Sequence, residues 1–551
     1  MKRYIKHLMK GAEIRTDHFL RSQDKNPESI QYGGMHGDVA EAKTTIYHMA
    51  TALSVYFKED SRFYRNEALF DAIDLACGFV RKMQRENGSF DYPTCNFQSA
   101  ADTSFCFKRL ILGYRLLDKY GTGGDKTEVL KKKYLVIMQD ALKAIRDGGF
   151  HTPNHRWGIT AALLQGANLF AEDAAFADSL KKRAAQYLAE GVDEDEDGEY
   201  AERSTGNYNA VVNNAMFAIG QETGEELYYD YARKNLKMML LYIDPDDTIF
   251  TQNSSRQDKG RAEYADKYFY QYLYAACLGD DGVFGGAAHK IIKDNMERGD
   301  IAPDCFPVIM THDEMMKHEF TKYGFAESYR KYFRHSGVLR VKKEEYTYTV
   351  LNGKSSFLFF KTGSTAVCVK IGESCCEKRN FVPKTMEVNE QGCVLSEAFD
   401  SWYYLPFDEP QSTSDWWEMD QTKRKKLLPE RLNTRLEIRE LPEGLELRLK
   451  ADGLKGLPLR LEICIPAGTT VENEHFYMKA EAGSGMILRD GCLQVKDSDR
   501  ELVMGPGFGS HEFKGHYSGE EVNDSGFTVY CNEYTPLEKV FKICVKLYMS
   551  F

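Results

Sequence analysis

Apolar residues recur at a helical period through roughly the first 330 residues of the chain. Ile46, Met49, Ala50, Leu53 and Phe57 fall on one face of a helix, and Leu69, Ile73, Ala76, Val80 and Met83 repeat the pattern without a proline. The same text predicts helices at Lys108–Lys119, Val129–Ile145, Ala174–Ala189, Asn209–Gly220 and Leu227–Tyr242. From about Tyr346 the period changes to two. Leu445, Leu447 and Leu449 alternate with charged residues, as do Leu457, Leu459, Leu461, Ile463 and Ile465 with theirs. Val341–Leu351, Phe357–Phe360 and Ala366–Ile371 also read as strands. Helices first and strands second predict two packed units rather than alternating βαβ, 1–331 helical and 332–551 of strands, meeting near Tyr332–Arg340.

A spaced signal runs through the helical half. Turn residues followed by an aromatic occur at Asn87-Gly88-Ser89-Phe90, Asp147-Gly148-Gly149-Phe150, Asp197-Gly198-Glu199-Tyr200 and Asp247-Thr248-Ile249-Phe250, spaced 60, 50 and 50 residues apart. That period holds two helices and their connections, so each unit is expected to be a helical hairpin. The glycine supplies a left-handed turn and the aromatic folds back onto the bundle. Chained hairpins of this length predict an α/α toroid with equivalent loops on one rim.

Composition narrows the function. With 72 Lys plus Arg against 83 Asp plus Glu, the formal charge is −11, which disfavours a nucleic-acid partner. No run of ~18 apolar residues could span a membrane, and the N-terminal segment has no apolar signal-peptide core. The thirteen cysteines are scattered, with no CxxC, as expected of reduced thiols in a cytoplasmic protein. Asp193-Glu194-Asp195-Glu196-Asp197-Gly198 begins like a calcium loop, but Ser204 stands where a bidentate Glu is needed. It reads as a solvated acidic helix end, and no metal site is expected.

The segments behind the turns should share a surface. They carry Asn154, His155, Arg156 and Trp157; then Glu202 and Tyr208; then Arg256 and Asp258. Cations for a carboxylate, aromatic faces for a ring and polar groups for hydroxyls suit an acidic sugar. Each alone has a plainer role: Asn154 after Pro153 as a helix cap, His155 and Tyr208 as packing residues. Convergence at three consecutive repeats favours a site. In the strand half, Trp402-Tyr403-Tyr404 and Trp416-Trp417 hold three of the four tryptophans, as core or as a sugar platform. His335, His475, His511 and His516 are the histidines that half could contribute.

Asn154-His155 followed 54 residues later by Tyr208, within Asp197-Gly198-x3-Glu202-x-Ser204-x3-Tyr208, resembles the heparinase II/III-like polysaccharide lyases and their toroid-type alginate-lyase relatives. The resemblance implies a toroid followed by an antiparallel β-sandwich. It also implies a lyase that cleaves uronic-acid glycans by β-elimination without a cofactor. Asn154 would neutralise the uronate carboxylate, His155 would assist it or act as base, and Tyr208 would be the acid or acid/base. Arg156, Trp157, Glu202, Arg256, Trp416 and Trp417 would bind substrate. The Asp-Gly to Tyr spacing is one residue longer than usual in that family, and Phe357–Ile371 lacks a histidine that the family would supply.

The expected partner is an acidic oligosaccharide or polysaccharide, with no nucleic acid and no membrane. Two alternatives stand beside the lyase. A glycoside hydrolase on the same toroid, acting on unsaturated glucuronyl sugars, needs two carboxyl groups, from Glu202, Asp258 or Asp102. A glycan-binding protein without activity needs only the cleft.

Overall fold

A computed structural model describes residues 2–121, 124–279, 282–320, 325–496, 500–512 and 520–546. It divides into two compact units, one comprising Met1–Ile243 with Thr248–Phe325, the other Asp244–Asp247 with Ala326–Phe551. The division therefore falls at 325/326 rather than 331/332, since the first strand of the second unit already begins at Tyr329.

In the first unit helices pair in sequence. These are α1 (Lys2–Ser22), α2 (Ala42–Phe57), α3 (Glu67–Met83), α4 (Ala100–Tyr120), α5 (Asp125–Asp147) and α6 (Pro153–Leu169). Then come α7 (Ala174–Ala189), α8 (Tyr208–Thr223), α9 (Glu226–Leu240), α10 (Phe269–Cys277) and α11 (Gly282–Arg298), with a short α12 (Phe306–Thr311). Even-numbered helices α2, α4, α6 and α8 are buried over most of their surface and pack on one another in succession. Their odd-numbered partners α1, α3, α5 and α9 are amphipathic and cover them from outside. This is the α/α toroid. Since each inner helix follows an outer one through a reversal, the inner helices run parallel and their N-termini share one rim. None of the described helices is long and apolar enough to cross a membrane.

The predicted turns lie ahead of α4, α6, α8 and α10, as the repeat requires, but they are not identical. Gly88 and Gly198 adopt φ of 88° and 90°, and Asp247 takes the left-handed position itself at 63°. Gly148 does not: its φ is −86°, and it is needed because a Cβ would stand 2.5 Å from that of Ala100. Phe90, Tyr200 and Phe250 fold into the bundle, whereas Phe150 is 40% exposed. The acidic run is not a solvated helix end. It lies beyond α7, the Glu194 side chain is buried against Lys234 at 3.1 Å, and Asp195 caps the turn by accepting from the Asp197 and Glu199 N–H groups.

Polar links tie the later hairpins together. The Asn213 amide on α8 donates to Asn235 of α9 at 2.8 Å and to Gln271 of α10 at 3.2 Å. Gln271 donates back to the Ala210 carbonyl and to Asn214, and Asn235 donates to the Gly198 carbonyl at 2.7 Å. Buried amides of this kind hold only while every partner is present.

The second unit is a β-sandwich of two nine-stranded sheets around one apolar core. Among the described residues the strand pairings are antiparallel apart from Gly485–Ile487, which runs parallel to Gly526–Tyr534, and an isolated parallel bridge between Gly509 and Asn532. Leu445, Leu447 and Leu449 point into the core as their alternation predicts. The run Val341–Leu351 is two strands, Val338–Lys342 and Thr347–Leu351, not one. The strand Pro458–Pro466 is buried on both faces, because Arg460 on its polar side is enclosed in ion pairs with Glu462 and Glu520.

A Cβ on Gly198 would meet the Lys234 carbonyl at 2.8 Å and require a left-handed backbone. Gly198→Ala is therefore expected to lower stability by about 1–3 kcal/mol. Gly149→Ala, where nothing lies within 4 Å, is expected to change it by less than ~1 kcal/mol. Urea unfolding followed by helical circular dichroism checks both.

Candidate active site

The rim is populated by residues from the first turns of successive inner helices. On α2, Lys43 pairs with Asp102 of α4 at 3.0 Å and lies over the Tyr92 ring at 4.6 Å. Asp102 also accepts from Ser99 and Asn96, both at 2.9 Å. Burial works against both charges, yet their pairing prevails: Asp102 is held below the usual carboxylate range and Lys43 above the usual lysine value. One turn on, Phe105 meets the His155 ring edge-on at 5.8 Å, and His151 does so at 4.8 Å.

His155 is nearly buried and its Nδ1 has no hydrogen-bond partner. Burial first, then His151, lowers its pKa to about 4; Arg256 and Lys43 act in the same direction against Asp102. The ring is neutral near pH 7.

Asn154, at the start of α6, is wholly buried. Its backbone N–H donates to Glu202 Oε2 at 3.1 Å, and its Nδ2 donates to Oε1 and Oε2 at 3.0 and 2.8 Å. Its Oδ1 is left without a partner. Glu202 is also buried, with burial pushing its pKa up against the opposing effects of Asn154 and Arg256. The other side of Glu202 pairs with Arg256 Nε at 3.2 Å. The Arg256 guanidinium lies 5.1 Å from the centre of the Tyr208 ring, and among the described residues its two terminal nitrogens make no hydrogen bond. Tyr208 is half-buried, its backbone N–H donates to Ser204 Oγ at 2.9 Å, and its hydroxyl donates to Gln257 Oε1 at 3.3 Å. Asn154, Glu202, Arg256 and Tyr208 thus form one continuous chain of contacts, and His155 follows Asn154 on the same turn.

The expected site residues are placed as follows. Asn154 spends its amide hydrogens on Glu202 and so positions that carboxylate. Glu202 in turn pairs with Arg256. Arg156 and Trp157 turn away, because successive helical residues point about 100° apart. Arg156 donates to the Gly191 carbonyl and pairs with Glu190 at 3.4 Å; Trp157 is fully buried beneath it, with its indole N–H on Asp193 at 2.5 Å. Asp258 is consumed by Ser204, Ser254 and the Gly206 N–H. Trp416 and Trp417 lie in the second unit, 59% and 87% exposed, and so are not core residues. His516 lies outside the described residues. No group of three or more His, Cys, Asp or Glu among the described residues could hold a metal ion.

Solved structures share this architecture. A Paenibacillus xanthan lyase matches with a TM-score of 0.60 at 9% identity, over 99% of this chain and 57% of that one. A heparinase III matches at 0.57 and 10%, over 98% and 85%, and a heparan sulfate lyase from Pedobacter heparinus at 0.55 and 8%, over 98% and 83%. The fold is that of polysaccharide lyases. No family model matches the sequence, and no curated protein matches it. The chain spans 57% of the length of the xanthan lyase.

Within this lyase-type fold, sequence reasoning missed Lys43, Phe105 and Gln257. Lys43 lies 59 positions from its partner Asp102, close to the repeat period, and that spacing was the available signal.

A histidine whose folded pKa is below its unfolded value near 6.5 binds fewer protons folded than unfolded between those two values. Stability is therefore expected to fall as pH drops from about 6.5 toward 4, by up to about 3 kcal/mol for His155. His155→Gln should flatten that part of the curve, as read from urea midpoints across this range.

Proposed function

We propose that the protein is a lyase that cleaves uronic-acid-containing glycans by β-elimination at this rim. The observation that carries the reading is Arg256: its Nε side pairs with Glu202, its terminal nitrogens make no hydrogen bond among the described residues, and it lies over the half-buried Tyr208 ring.

Elimination removes the proton α to the uronate carboxylate while the C4–O bond breaks. An ionised carboxylate opposes this, because abstraction accumulates negative charge beside it. A guanidinium fork receives a carboxylate bidentately and stabilises the enolate-like transition state. Arg256 is the group placed to do so, in place of Asn154. Tyr208, whose ring lies beside that cation, is the group that would remove the proton or deliver one to the leaving oxygen. Neutral His155 is a weak base, since its conjugate acid is held at a pKa of about 4. Its role is to border the ring without adding a charge. The first turns of the inner helices add positive potential at the same rim.

This assignment needs no second carboxyl group. The carboxylates suggested for a hydrolase are engaged: Asp102 by Lys43, Glu202 by Asn154 and Arg256, Asp258 by two serines. The exposed Trp416 and Trp417 of the second unit suit stacking against glycan rings.

Tyr208→Phe is expected to abolish release of ultraviolet-absorbing unsaturated ends from a panel of uronate glycans while leaving binding within about twofold. Arg256→Met should reduce turnover by about 10²–10³. Reducing sugar released without that absorbance would mean hydrolysis, and a fully active Tyr208→Phe would remove the assignment.

A further inference from the structure

Beneath the rim, the axis of the toroid holds a cavity of about 550 Å³, large enough for a saccharide unit. The register of the inner helices places it directly under the rim groups. Tyr47 lies one turn below Lys43 on α2, Lys108 one turn below Phe105 on α4, and Val211 one turn below Tyr208 on α8. Tyr270 from α10 and Val308 from α12 complete the wall.

Among the described residues its lining charges are matched with one exception. Arg109 pairs with Asp304 at 2.6 Å, Arg298 with Asp266 at 2.9 Å and Lys267 with Glu263 at 3.6 Å. Lys108 makes no hydrogen bond or ion pair among the described residues. It lines both this cavity and a smaller adjoining void of about 80 Å³. Burial, then the neighbouring Arg109, depresses its pKa to about 8. Lys108 is half-buried and faces the cavity without a carboxylate partner among the described residues, so an anionic group entering the cavity would meet an uncompensated cation. Beside it, Asn214 accepts from Gln271 at 2.7 Å and keeps its own amide N–H groups free among the described residues. Tyr47, with the Arg109 guanidinium 4.6 Å from its ring centre, and Tyr270 bring aromatic side chains to the wall.

We propose that this axial cavity binds one sugar acid, its carboxylate on Lys108, its hydroxyls on Asn214 and its ring against Tyr47 and Tyr270. The proposal rests on the reading of the rim as a uronate lyase site and deepens it. A glycan processed at Tyr208 would have a second acidic residue read one helical turn deeper.

The probes are D-glucuronate, D-glucose and sulfate, tested by calorimetry on the full chain. Glucuronate should bind wild type and Tyr208→Phe alike, bind Lys108→Met at least about tenfold more weakly, and outcompete sulfate; glucose should not bind. A second measurement needs no variant. Acetylation of wild type at pH 8, read by peptide mass spectrometry, should modify Lys108, and saturating glucuronate but not glucose should slow that reaction at least about fivefold. Equal affinity in Lys108→Met, an unprotected or unmodified Lys108, or sulfate binding as well as glucuronate would overturn the proposal. Those outcomes are separable from the lyase reading, because a fully active Tyr208→Phe removes the latter whatever Lys108 binds.

Discussion

The direction of the inner helices is the constraint on which the candidate site depends. Each follows an outer helix through a reversal, so all begin at the same rim, and their first turns are forced together whatever residues occupy them. Lys43, Asp102, His155 and Tyr208 are far apart in sequence and neighbours only for this reason. The chain need not build a site from one motif; it needs suitable residues near the start of each inner helix.

Glu202 converts that shared rim into a defined geometry. It is buried between Asn154, which satisfies both its oxygens, and Arg256, which it fixes over Tyr208. A buried carboxylate held on two sides locates a cation more accurately than a surface pair, whose side chains remain free to rotate. The Arg256 guanidinium is thus placed by two residues, Asn154 and Glu202, that hold one another.

The period of the pattern carried the architecture into the sequence. Changes from 3.6 to two separated toroid from sandwich, and turns near Gly88, Gly148, Gly198 and Asp247 marked the approach to each inner helix. Side-chain direction was less legible. Arg156 and Trp157 looked like site residues by proximity to Asn154 and His155, but helical rotation turns Arg156 toward Glu190 and buries Trp157 against Asp193. Asn154 was legible as a site residue but not as a buried one, because its role depends on Glu202 across 48 positions. Lys108 carries no motif; that it has no carboxylate partner among the described residues appears only once the other lining charges are seen to be matched.

The amide links among α8, α9 and α10 bear on how such a ring can change over evolutionary time. Apolar surfaces tolerate a new neighbour of similar shape, whereas Asn213, Asn235 and Gln271 each need a particular donor or acceptor opposite. Excising or duplicating a hairpin here would strand amides in a dry interior. The circumference of the ring is therefore locked at this sector, and diversification is channelled into the connecting segments.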